Sequence, residues 1–107
     1  MNYEFRRAYR KGRSAAEPCL VVYARRNGKA GNRLGFTVSN KLGCAVVRNR
    51  VRRRLREIYR LNESRLCRGH DVVVVARSRS VGADYQRLER EFLRACTELG
   101  LVKESET

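Results

Sequence analysis

An α+β fold of one domain, with a small sheet, is what this sequence predicts, and three observations carry the prediction. The chain has 107 residues, about the length of one ordinary domain and too short for a pair of them. Its apolar positions switch between period two and period 3.6 in the order helix, strand, strand, helix, strand, helix, with no repeat and no linker long enough to divide the chain. Hydrophobic residues make up 42% of the chain, enough for a core and unlike the composition of a disordered basic tail. One domain over 1–107 is expected, with 103–107 a frayed polar tail.

The elements follow in order. In residues 3–12, Phe5, Ala8 and Tyr9 recur at helical spacing, and Gly12 can end the turn, so a short amphipathic helix is expected. Pro18 opens a Leu- and Val-rich run over 19–24. Asn27-Gly28 and Gly31-Asn32 then supply turn residues before Leu34, Phe36 and Val38 alternate with smaller partners, which predicts a β-hairpin with a loop. From 46 to 61 the period becomes 3.6: Val47, Val51, Leu55 and Ile58 fall within an arc of about 80°, a narrow buried stripe. Four consecutive valines over 71–76 suit an interior strand covered on both faces. The last helix runs over 84–99, with Asp84 as N-cap, Tyr85, Leu88, Phe92, Cys96 and Leu99 on one face, and Gly100 as the stop. The strand ending near Ser39, the central helix and the valine strand form a β-α-β unit whose strands can pair in parallel.

Charge is the strongest functional signal. Twenty-five Lys and Arg face 11 Asp and Glu, a formal net charge of +14, which points to a polyanionic partner. Between Lys41 and Arg60 stand eight cations and a single acid, Glu57, so half the net charge occupies one helix and its entry. On the helical wheel, Arg48, Arg52, Arg53, Arg56 and Arg60 span about 100° to 240° from Val47, with Asn49 among them, opposite the buried stripe. Seven of the eight cations are arginine, whose planar fork grips phosphate with two hydrogen bonds or stacks on a base. A merely solvated helix face mixes Glu with Arg at i,i+4 spacing, whereas Glu57 alone stands among these arginines; a membrane-surface helix exposes bulky apolar residues opposite its charges, and here the apolar stripe is narrow and needed by the core. An α+β domain with aromatics near a sheet favours RNA over the major groove of DNA.

Other classes are excluded or weakened. No apolar run reaches the roughly 18 to 20 residues of a membrane span, and no secretory signal is visible, so a cytoplasmic protein is expected. Cys19, Cys44, Cys67 and Cys96 lie far apart with no CxxC, and His70 is the only histidine, so no zinc site and no protein-held metal is expected. The thiols should stay reduced, with Cys19 and Cys96 acting as small hydrophobes. Only two aspartates are present, Asp71 and Asp84, in different elements, which argues against a self-sufficient metal nuclease. No catalytic residue is expected in this chain, and His70 reads as a surface or core residue.

The stretch Asn40-Lys41-Leu42-Gly43-Cys44-Ala45-Val46-Val47-Arg48-Asn49-Arg50-Val51-Arg52-Arg53-Arg54-Leu55-Arg56-Glu57 resembles the signature of the bacterial ribonuclease P protein subunits, with Arg48-Asn49-Arg50 at its centre. The likeness extends over nearly the whole chain, through the first helix, the strand before the signature and the Gly-x-Asp of residues 69–71. It implies an accessory subunit of a ribonucleoprotein endonuclease that removes the 5′ leader of precursor tRNA, with Mg²⁺-dependent hydrolysis performed by the RNA. It implies that Lys41, Arg48, Asn49, Arg50, Arg52, Arg53 and Arg56 contact the catalytic RNA. Phe5, Tyr9 and Tyr23 match the aromatics of a cleft for the single-stranded leader, with Arg77 and Arg79 near it. The expected partners are thus the catalytic RNA and precursor tRNA, with no membrane and no obligate protein partner. A left-handed β-α-β crossover is also implied, against the right-handed rule. The family's basic stretch ahead of the first helix has no counterpart before Tyr3.

Two readings stay open beside these. The three aromatics can equally be core residues, and Arg77 and Arg79 can be solvated. A ribosomal protein or general RNA chaperone would carry the same charge on the same fold class, without need of an aromatic cleft.

Overall fold

The computed structural model describes residues 12–103. The helix expected over 3–12, with Phe5 and Tyr9, falls outside the described residues but for Gly12. The described elements are β1 (Arg13–Ala16), β2 (Leu20–Arg26), β3 (Arg33–Thr37), α1 (Ala45–Asn62), β4 (His70–Ala76) and α2 (Tyr85–Glu98). They form a single α+β unit in which two helices pack on a four-stranded mixed sheet of order β1-β2-β4-β3.

The pairing departs from the expected hairpin. β2 and β3 run antiparallel but do not touch, because β4 lies between them, antiparallel to β2 and parallel to β3. β4 carries four valines, of which Val72, Val73 and Val74 are buried. It gains most from a place with a strand on each side, and an edge strand would waste that surface. The six-residue connection 27–32 needs to bridge only two strand spacings, about 10 Å. The hairpin that does form joins β2 to β1. β1 is the four-residue run Arg-Ser-Ala-Ala, without the branched or aromatic residues that mark a strand.

Alternation divides the sheet cleanly. Leu20, Val22 and Ala24 pair with Ala76, Val74 and Val72 and, with Leu34 and Phe36 of β3, meet the helices. α1 contributes Val51, Leu55 and Ile58, and α2 contributes Leu88, Phe92, Ala95 and Cys96, all buried. The helices touch where Tyr59 meets Phe92 edge to face, ring centroids 6.4 Å apart. Val47 was expected in this stripe but is only half-buried. It packs at the helix entry, where a Cβ at position 43 would stand 3.2 Å from it. Cys19 and Cys96 are core residues, as expected; burial pushes the Cys96 thiol up to about 12, and burial with Glu91 alongside pushes Cys19 up to about 11.

Buried carboxylates lock the edges. Asp71, fully buried, accepts from Arg33 Nε at 3.0 Å and Nη2 at 3.1 Å, and from Asn27 Nδ2 at 3.1 Å. Burial alone would raise its pKa; the Arg33 and Asn27 hydrogen bonds outweigh that and hold it below the ordinary value. Glu91 likewise accepts from the Cys19 N–H at 2.7 Å and Arg87 Nε at 2.9 Å, tying α2 to the β1–β2 turn. Asp84 caps α2, accepting from the Arg87 N–H at 2.7 Å. Both aspartates therefore have structural work.

The tail is anchored further than expected: Val102 bridges Leu66, and the Lys103 N–H donates to the Arg65 carbonyl at 2.7 Å. Among the described residues, no helix is long and apolar enough to cross a membrane.

Candidate RNA-binding surface

The chain enters α1 through a short 3₁₀ turn, Asn40–Leu42, in which Ser39 Oγ accepts from the Lys41 N–H at 3.2 Å. Gly43 then takes φ of +144° with Val47 at its back, a backbone that side chains rarely adopt and a space that a Cβ would crowd. The Lys-x-Gly lead-in is therefore a hinge that fixes where the first turn of α1 starts and which way its arginines point.

Burial of Val51, Leu55 and Ile58 against the sheet forces the opposite side of α1 outward. Lys41, Asn49, Arg50, Arg53 and Arg56 are exposed, and Arg48 and Arg52 are partly so. Two of the set have internal tasks: Arg48 Nε donates to the Gly43 carbonyl at 3.2 Å, and Arg52 Nη1 donates to Asn49 Oδ1 at 3.0 Å. Arg54, on the stripe's flank, donates to the Ala83 carbonyl at 3.3 Å and leaves the outer face. Among the described residues, Lys41, Arg50, Arg53 and Arg56 have no hydrogen-bonded or ion-paired side-chain partner. An open cleft of about 560 Å³ runs along this face, lined by Val46, Asn49, Arg50, Arg52, Arg53 and Arg56. The structure brings six of the seven sequence-predicted residues onto one helix and Lys41 to its entry.

Val46 was missed. It is 68% exposed and lines the same cleft as Asn49, Arg50, Arg52, Arg53 and Arg56. The wheel carried the signal: at about 260° from Val47, this valine sits on the cationic side.

The aromatic positions are less complete. Tyr23 is half-buried on the sheet face away from the helices, opposite Ser14 on β1 and Val73 on β4. Phe5 and Tyr9 lie outside the described residues. Arg77 follows Val73 by four residues, about 13 Å of extended chain, and spends Nη1 on the Glu17 carbonyl at 3.1 Å. Arg79 is exposed on the 3₁₀ turn Ser78–Ser80. Arg77 thus stands about 13 Å along the chain from the position opposite Tyr23. Among the described residues, no group of three or more His, Cys, Asp or Glu side chains could hold a metal ion.

The comparisons with known proteins agree with one another. The family model described as Ribonuclease P matches residues 1–100. The ribonuclease P protein component of Natranaerobius thermophilus is 41% identical over 104 residues, 97% of this chain and 90% of that protein. The component from Clostridium acetobutylicum is 46% identical over 103 residues, 94% of this chain and 87% of the relative. The structure of the Staphylococcus aureus RNase P protein superposes with a TM-score of 0.87 at 31% identity, covering 96% of this chain and 94% of its own.

Proposed function

This chain belongs to the ribonuclease P protein family and is the protein subunit of that tRNA-processing endoribonuclease complex, and from this premise we propose how it divides the work with RNA. The outer face of α1, with Lys41 at its entry, binds the catalytic RNA. The observation that carries this reading is the row of arginines that lack carboxylate partners and sit opposite a buried stripe. Arg50, Arg53 and Arg56 give forked contacts to phosphate, and Arg52, steadied by Asn49, offers a guanidinium plane already placed for a phosphate or base. Because the stripe fixes the helix roll, the protein contributes a preorganised cationic rail, and binding releases the counterions condensed on the RNA.

Hydrolysis of the leader phosphodiester belongs to the RNA in this reading. Mg²⁺ supplies charge stabilisation there, on RNA and substrate oxygens. Among the described residues no cluster of carboxylates could hold the ion, and Asp71, Glu91 and Asp84 are engaged by arginines or a helix cap. What the protein adds is grip on the catalytic RNA and on the unpaired 5′ leader of precursor tRNA. Tyr23 stacks on the leader, with Phe5 and Tyr9 in the same role and Arg77 and Arg79 as phosphate contacts. A cytoplasmic location accompanies this role.

The test is 5′ cleavage of a tRNA precursor by a cognate bacterial catalytic RNA at low Mg²⁺, with and without the full chain. The chain should raise the cleavage rate and lower the Mg²⁺ needed; an unchanged rate would contradict the proposal.

A further inference from the structure

A second cationic surface lies off α1, at the end of the sheet. An open cleft of about 630 Å³ is lined by Arg13, Arg25, Arg26, Arg68 and His70, with no carboxylate among the described residues of its wall. A neighbouring cleft of the same size is lined by Arg60, Arg68 and Lys103 against one acid, Glu63. Arg68 lines both. Arg60 stands one helical turn beyond Arg56 on the same side of α1, so the two clefts continue the arginine rail round the end of the sheet.

The platform beneath these cations is built. Gly69 takes φ of +89°, and a Cβ there would lie 3.1 Å from the Lys29 carbonyl; its own carbonyl accepts from the Asn27 N–H at 2.9 Å. Asn32 Nδ2 donates to the Cys67 carbonyl at 3.0 Å and to Tyr59 Oη at 3.2 Å, while its Oδ1 accepts from the His70 N–H at 2.9 Å. Asn27, Asn32 and Gly69 thus clamp the loops 27–32 and 66–70 together and hold Arg26, Arg68 and His70 side by side. The crowding registers on the imidazole: burial, and then the charges of Arg26 and Arg13, lower the His70 pKa, and the nearby backbone of Cys67 and Arg68 opposes the shift without reversing it. Its Nδ1 is buried without a hydrogen-bond partner. The side chains of Arg26 and Arg68 are exposed, with no hydrogen-bond or ion-pair partner among the described residues, whereas Arg13 is partly spent on the Leu99 carbonyl. Like charges clamped this close repel one another in the free protein, and a polyanion removes the repulsion.

We propose that the sheet end bearing Arg25, Arg26, Arg68 and His70 is a second binding site for the sugar-phosphate backbone of the catalytic RNA, continuous with α1 through Arg60. The proposal rests on the reading of the chain as the protein subunit of ribonuclease P. Continuity with the α1 rail assigns it to the catalytic RNA in preference to the substrate.

Arg26→Gln and Arg68→Gln test it, with Arg90→Gln, an exposed arginine of α2, as a control that removes the same charge elsewhere. Affinity of the full chain for a cognate catalytic RNA is measured from 50 to 200 mM salt. Each of the first two variants should weaken binding about 3- to 10-fold and reduce the slope of log K against log salt by about 1; Arg90→Gln should change neither. Arg26→Lys and Arg68→Lys should restore the slope, which separates loss of a phosphate contact from loss of fold. Variants equal to Arg90→Gln would overturn the inference. So would a loss confined to precursor tRNA binding by the assembled complex, which would give the site to the substrate. A wild-type chain that neither binds the RNA nor stimulates cleavage would overturn the underlying reading, and this inference with it.

Discussion

Arg33 on β3 and Arg53 on α1 mark the two ways in which this chain uses arginine. Arg33 reaches both oxygens of a fully buried Asp71, at 3.0 and 3.1 Å; Arg53 is exposed, with no partner among the described residues. Composition forces the contrast: 11 acids cannot neutralise 25 cations. The acids go where a break in the fold would be most costly. Asp71 ties β3 to β4 and the 27–32 loop, Glu91 ties α2 to the β1–β2 turn, and Glu17 meets Arg94 at 3.1 Å. Most of the unpaired cations among the described residues gather on one side of α1 and round the sheet end. Paired arginines should therefore matter to stability, and unpaired ones to binding.

The inner side of α1 sets the upper end of the stability scale. Leu55 is 1% exposed, so Leu55→Ala should cost about 2 to 5 kcal/mol in denaturant unfolding. For the paired arginine, Asp71→Asn should cost about 3 kcal/mol, at the low end for a broken buried pair because Arg33 is one-third exposed and can turn to water. The pH dependence carries a definite sign. The Asp71 pKa is held below its ordinary value in the fold, so its contribution is present above about pH 4 and is lost as pH falls through the folded value. The Asn variant should lack that share of the acid dependence; an acid profile identical to wild type would show the pair to be idle.

Smaller effects sharpen the same contrast. Tyr23→Ala should weaken precursor tRNA binding to the assembled complex by about 1 to 3 kcal/mol, the scale of one base-aromatic stack, with mature tRNA little changed and Tyr23→Phe close to wild type. Equal losses for both RNAs, or losses that follow the melting temperature, would make Tyr23 a core residue. At the bottom of the scale, Arg53→Ala should move stability by no more than about 0.5 kcal/mol, the range for an unpartnered surface site.

Much of this was legible because strong periodicity leaves few alternatives. Val51, Leu55 and Ile58 set the roll of α1, Asp84 marked the start of α2, and the valine run placed β4 inside the sheet. Pairing was harder. Turn residues at 27–32 announced a reversal but not that β4 would pass between the strands they join, since that choice depends on burial summed over the whole sheet. β1 was invisible because Arg-Ser-Ala-Ala has no strand signature. The arginine side of α1 could be read off the wheel, whereas the sheet-end cluster could not: Arg13, Arg26 and Arg68 are far apart in sequence, Arg13 arriving through the pairing of β1 with β2 and Arg68 through the loops that Asn27 and Asn32 clamp.

The central claim is that the unpaired side of α1 grips the catalytic RNA while the paired arginines hold the fold. The most direct measurement is the affinity of the full chain for a cognate catalytic RNA between 50 and 200 mM salt, for wild type and for the double variant Arg53→Ala, Arg56→Ala. Wild-type binding should fall by roughly 10³-fold or more over that range, as for six to eight neutralised phosphates, and the variant should lose about two units of slope with its melting temperature unchanged. A nearly flat wild-type profile, or a variant that keeps the wild-type slope, would contradict the account.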